Sequence, residues 1–230
     1  MRILLFDIDG TLLSTGGAGM AALKAAMREE FGVADPQEVP VSGRTDRGIA
    51  RSLFQAHAMD DTEHHWERFR EAYLRHLATQ LPQRTGRVLP GVSTLLDRVA
   101  GRAEVQLGLL TGNVWEGARL KLEHYGLMSY FAFGGFGDRH ADRDSVAAEA
   151  LEQGRRRVVG EPASLEVWVI GDTPMDVTCA RHIGARSIAV ATGSFSREVL
   201  ETYEPDVLVD DLSDAGRLAD MMLASNSSDP

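Results

Sequence analysis

Short apolar runs recur along this chain, with amphipathic stretches between them. Ile3–Phe6, Val105–Leu110, Phe131–Phe136, Val167–Ile170, Ser187–Ala191 and Val207–Val209 read as strands buried on both faces, where apolar residues follow one another without polar alternation. Val114–Tyr125, Ser145–Gln153 and Asp176–Ile183 carry helical patterns between several of them. Strand–helix alternation requires right-handed crossovers and predicts an α/β fold, a doubly wound and mostly parallel sheet. Such a sheet binds ligands outside the carboxyl ends of its strands.

The alternation fails from Ser14 to Leu89, where no strand is predicted and Met20–Phe31, Asp46–Ala58 and Thr62–Gln80 all read as helices. Ser14-Thr-Gly-Gly-Ala-Gly19 enters this block, and Pro82 and Pro90-Gly91 leave it. Glycine and proline punctuate reversals and hinges. The division expected is a core of residues 1–13 and 90–230 with a helical domain, 14–89, inserted after the first strand. The simpler reading packs the same helices onto a single core. Gly16-Gly17 and Pro90-Gly91 are candidate hinges, and the polar tail Ser225–Pro230 is expected to fray.

A chain of 230 residues forms one large domain or two small ones. Its 43% hydrophobic and 25% charged residues are ordinary for a globular protein. A net charge of −10 argues against a nucleic-acid backbone or an anionic membrane as partner. It leaves room for a small phosphorylated ligand, because local charge decides that question. The lone Cys179 excludes an internal disulfide and suits a reducing cytoplasm. No signal peptide or membrane span is expected, since the first apolar run meets Asp7 at once. The expected location is the cytoplasm, and the composition leaves the oligomeric state open.

Candidate chemistry gathers at the predicted strand ends. The first run delivers Asp7-Ile-Asp-Gly-Thr11, two carboxylates at a spacing that points both the same way. Two acids converging there cost electrostatic energy unless a cation or a shared proton compensates them. The second run closes with Thr111-Gly-Asn113 and opens a helix, a junction whose free N–H groups suit an anion. The fourth ends in Gly171-Asp-Thr-Pro-Met-Asp176. Four carboxylates, Asp7, Asp9, Asp172 and Asp176, thus fall at the ends of two strands that neighbour one another in a plausible sheet. Oxygen-only ligation suits a hard cation, Mg²⁺ above all.

These three motifs, in this order and approximate spacing, resemble the signatures of the haloacid dehalogenase-like superfamily. The helical block resembles the insertion cap of its phosphoglycolate phosphatase-like branch. The resemblance implies a Mg²⁺-dependent phosphatase acting on a small phosphomonoester through an aspartyl-phosphate. Asp7 is then the nucleophile, and Asp9 the general acid for the leaving oxygen and later the base for water. The metal is implied to sit between Asp7, the backbone carbonyl of Asp9, Asp172 and the phosphate, with Asp176 positioning it. Thr111 and Gly112 hold phosphate oxygens, with Gly10, Thr11 and Asn113 in the same binding set. Asp9 favours phosphoryl transfer over carbon–halogen cleavage, which needs neither this acid nor Mg²⁺.

The family's basic residue before the fourth motif is where this chain departs, since no Lys-Pro precedes that motif. Arg143, opening a predicted helix, is the first choice; Lys121 is the rival, although a solvated helix position explains it equally well. Arg44, in Val41-Ser-Gly-Arg-Thr-Asp46, is placed to read a carboxylate or second phosphate on the leaving group, against the plainer reading of a solvated arginine. His64, His65 and His76 lack metal-ligand spacing, and Trp115 and Trp168 read as packing residues. Competing readings are a phosphomutase or phosphotransferase of the same fold, a receiver domain and a catalytically silent regulatory protein. The early acid pair, the large insertion and the chain length all count against the receiver domain.

Overall fold

A computed structural model describes residues 1–158 and 164–224; the tail expected to fray lies outside them. The chain begins with β1 (Arg2–Phe6) and the two-residue β2 (Leu13–Ser14), then runs through α1 (Ala18–Phe31), α2 (Asp46–Ala56) and α3 (Glu63–Gln80). It returns through β3 (Arg87–Val88) and α4 (Val92–Val99) to β4 (Val105–Leu110), α5 (Trp115–His124) and β5 (Phe133–Gly135). There follow α6 (Arg143–Arg155), β6 (Glu166–Gly171), α7 (Pro174–His182), β7 (Arg186–Val190), α8 (Arg197–Glu201), β8 (Val207–Val209) and α9 (Ala215–Leu223).

Six strands form one parallel sheet in the order β5-β4-β1-β6-β7-β8. Alternate residues of β1 enter different cores. Leu4 and Phe6 pack with Leu107, Trp168, Ile188 and the apolar faces of α4, α5 and α9. Ile3 and Leu5 pack on the opposite face with Val167, Val169 and the inner sides of α6 and α7. Period-two alternation with both faces covered explains why the strand is apolar throughout. In β1, Phe6 lies opposite Leu109 of β4 and Ile170 of β6. The residues that follow each strand, Asp7, Thr111 and Asp172, therefore emerge on one edge.

The helices α1, α2 and α3 share a separate apolar cluster that includes Met27, Phe54, Phe69 and Leu77, to which the core contributes Val114. The expected absence of strands between Ser14 and Leu89 is corrected by the antiparallel pairing of Leu13 with Val88 and Ser14 with Arg87. Each partner is only two residues long, too short for any periodic pattern to register. The third predicted strand, Phe131–Phe136, shrinks to β5 because Phe131 follows a 3-10 turn over Met128–Tyr130. Trp168 is fully buried, as a packing residue should be, whereas Trp115 is 41% exposed and leans edge-on against Phe136.

Candidate active site

After Phe6 the chain turns sharply. The N–H of Asp7 still donates to Ile170, and the N–H groups of Thr11, Leu12 and Leu13 all donate to the carbonyl of Ile8. Gly10 makes this turn possible. Its φ is +87°, and an added Cβ would sit 2.4 Å from an Asp172 oxygen. The turn is braced by Thr11, whose hydroxyl donates to Asp172 at 2.9 Å, and by Thr192, whose hydroxyl donates to the Gly10 carbonyl at 2.6 Å.

Asp7, Asp172 and Asp176 converge here, with one carboxylate oxygen of each within 4.8 Å of the others. All three are buried. Burial raises the Asp7 carboxyl to about 7, with Asp176 and Asp9 adding to the rise and Arg143 opposing it. Burial, then Asp7 and Asp176, hold Asp172 well above the usual carboxylate range. The three buried acids form an oxygen-only donor set that a hard divalent cation would satisfy. Asp176 is the least free of them. One of its oxygens pairs with Arg143, and the other accepts from the backbone N–H and hydroxyl of Thr173 at 3.1 and 2.7 Å.

Both candidate cations lie in the site, on different acids. Arg143, the first residue of α6, reaches Asp7 at 3.4 Å as well as Asp176. Burial works against its charge, but the two carboxylates more than offset that and raise its pKa. Lys121 is only 4% exposed, which removes the solvated reading. Its ammonium lies 2.6 Å from Asp9 Oδ2 and 2.6 Å from Asn113 Oδ1. Asn113 Nδ2 completes the triangle, donating to the same Asp9 oxygen at 2.8 Å. The Asp9 side chain thus stands apart from the acid cluster, so the metal role expected of Asp9 rests on its backbone carbonyl alone.

Thr111 is fully buried, and its hydroxyl oxygen accepts from both the backbone and side-chain N–H of Asn113. The residue lines the cavity. Gly112 is where the helical block meets the core. An added Cβ would lie 2.1 Å from the Arg44 carbonyl, and the Gly112 carbonyl accepts from Asp46 at 2.7 Å. Asp46, opening α2, also accepts the Val114 N–H at 2.9 Å. Burial raises its carboxyl to about 6. Arg44 lines the cavity above the acids, but its side chain is exposed and makes no ion pair among the described residues.

This cavity measures about 460 Å³ and takes in every predicted site residue except Thr11 and Asp176, which stand just behind it. A second cavity, about 440 Å³ between α3 and the segment after β5, holds none of them. Gly193 and Ser194 after β7, and Tyr73 of α3, also line the main cavity. The sequence offered no sign of them: Tyr73 sits at core spacing in an amphipathic helix, and only the packing of α3 against α5 brings it here.

The sequence profile of the haloacid dehalogenase-like hydrolases matches residues 4–190. The chain belongs to this family. It is 30% identical over 236 residues to the probable phosphatase IndB of Dickeya dadantii, covering 98% of this chain and 96% of that one. It is 28% identical to a phosphoglycolate phosphatase of Synechococcus elongatus, over 93% of this chain and 95% of the relative. A hydrolase from Pseudomonas syringae has the same fold, with a TM-score of 0.71 at 22% identity over 98% and 100% of the two chains. The six-stranded parallel sheet with its surrounding helices is the fold of these hydrolases. Among the described residues, no helix is long and apolar enough to cross a membrane.

Proposed function

We propose that this haloacid dehalogenase-like hydrolase is a phosphatase that cleaves small phosphomonoesters through an aspartyl-phosphate on Asp7. The observation that carries this reading is the division of the acids. Asp7, Asp172 and Asp176 crowd together, while Asp9 is held separately by Lys121 and Asn113. A nucleophile and the group that handles the leaving oxygen's proton must act from different positions, and this division gives them separate places at the cavity.

Mg²⁺ is the cation proposed, held by Asp7, Asp172 and the Asp9 carbonyl with Asp176 orienting the set. When bound, it supplies charge that lets an anionic nucleophile meet an anionic ester. Asp7 then offers a carboxylate oxygen to phosphorus. Arg143 draws Asp7 toward Asp176 and, as a planar fork, can grip phosphate oxygens as well. The Thr111 hydroxyl and the N–H of Gly112, which makes no hydrogen bond among the described residues, hold the phosphoryl oxygens. Asp9, with 43% of its side chain exposed, faces the cavity and gives its proton to the leaving oxygen. It then takes one from the water that cleaves the acyl phosphate. The helices α1 to α3 serve as a cap over this chemistry, excluding bulk water during phosphorylation.

Hydrolysis of an aryl phosphate by wild type and Asp7→Asn, each with Mg²⁺ and with excess chelator, tests the reading. Turnover that needs Mg²⁺ and falls by at least about 10³-fold in the variant supports it. Undiminished activity of Asp7→Asn would sink it.

A further inference from the structure

We infer that the alcohol released at this site is apolar: an alkyl or aryl alcohol, not a hydroxy acid or a polyol. The inference rests on the phosphatase reading and names its substrate class. Three cations line the cavity. Arg143 is taken by Asp7 and Asp176, and Lys121 is held by Asp9 and Asn113. That leaves Arg44, exposed at the rim.

The part of the cavity formed by the helical block has a different character. Met20 and Leu23 of α1, Val41 before α2 and Ile49 within it form an apolar wall. The same four side chains line a narrow crevice that leads on to Val39 and Leu53, with Lys24 and Glu38, paired at 3.6 Å, and Gln37 also lining it. Leu23 and Ile49 are 6% and 4% exposed, so they belong to a packed surface and not to a mobile fringe. Met20 keeps 38% of its surface open, an apolar area that a ligand body would cover.

A carboxylate placed against this wall would lose its hydration without gaining a buried partner. A polyol would fare little better. The helical block brings Thr15, Ser42, Arg44, Asp46 and Tyr73 to the cavity as polar groups; Asp46 already accepts from the Val114 N–H, and the Tyr73 hydroxyl, which makes no hydrogen bond among the described residues, stands beside the apolar wall. The cavity's volume of about 460 Å³ falls in the range of sites for small organic molecules, roughly 300–1,000 Å³. The phosphate ester of a two-carbon hydroxy acid would leave the apolar wall uncovered.

Phosphate release from ethyl, butyl and hexyl phosphate, 2-phosphoglycolate and glucose 6-phosphate, all with Mg²⁺, tests the inference. The expected kcat/KM rises about threefold per methylene along the alkyl series, and hexyl phosphate exceeds 2-phosphoglycolate by at least about tenfold. Met20→Lys, at a position open enough to accept the change, lowers the ratio of hexyl to ethyl phosphate by about tenfold. A flat alkyl series overturns the inference while leaving the phosphatase reading intact. So does a preference for glucose 6-phosphate, or one for 2-phosphoglycolate that Arg44→Ala removes. If no ester is turned over, the phosphatase reading has failed, and calorimetric binding of hexylphosphonate against phosphonoacetate decides the subsite. Tighter binding of hexylphosphonate upholds it; equal or weaker binding overturns it.

Discussion

Lys121 and Arg143 divide the acids of the site between them. Arg143 spans Asp7 and Asp176, and Lys121 ties Asp9 to Asn113. The two were rivals for one role because a linear sequence does not tell which face of α5 meets the first-strand turn. Packing answers that question, by burying Lys121 to 4% exposure beside an acid 112 positions away. Lys121→Met is expected to lower kcat by about 10–100-fold with little change in KM, since it removes one of two contacts that aim Asp9. Lys121→Arg should recover part of the loss, as steady-state kinetics would show. The acids themselves were plain in the sequence, because strand ends are where this fold does its chemistry. The separate setting of the Asp9 side chain was not, since two carboxylates one residue apart read as a pair.

Among the elements, α2 is the one whose placement the sequence concealed. Asp46 looks like an ordinary acid at a helix start. In the fold it is buried at 6% exposure and clasps the β4–α5 junction through the Gly112 carbonyl and the Val114 N–H. Because its carboxyl is raised from 3.8 to about 6, the folded protein keeps a proton that the unfolded chain has released between those values. Stability from this group is therefore undiminished below the lower value and lost as pH rises through the upper one. Asp46→Asn, which mimics the protonated acid, should match wild type near pH 4. It should gain on the order of 2 kcal/mol relative to it at pH 7, as urea unfolding at the two pH values would measure. The sheet strands and the helices α1, α2 and α3 were legible to within a few residues, because long apolar or amphipathic runs dominate their patterns. The helices α4, α8 and α9 went unread: each has nine residues or fewer, and their apolar faces are defined by what they cover.

At the scale of the whole molecule, three buried acids share one buried guanidinium, Arg143, and their crowding is a cost that folding carries. Excess Mg²⁺ is expected to raise the melting temperature, by an amount equivalent to about 2.7 kcal/mol at a hundredfold excess over Kd. It should also release protons near neutral pH, since Asp7 and Asp172 are held above the usual carboxylate range. Asp172→Asn should blunt both responses in calorimetry. The chain enters and leaves its helical block through β2 and β3, which pair side by side, Leu13 with Val88 and Ser14 with Arg87. Two such strands lie about 4.8 Å apart. Everything between them starts and finishes at one point, so its length and shape can change without disturbing the register of β1 against β4 and β6. The same hydrolytic edge can then be fitted with a different lid, and the substrate range of this enzyme can drift while its chemistry stands still.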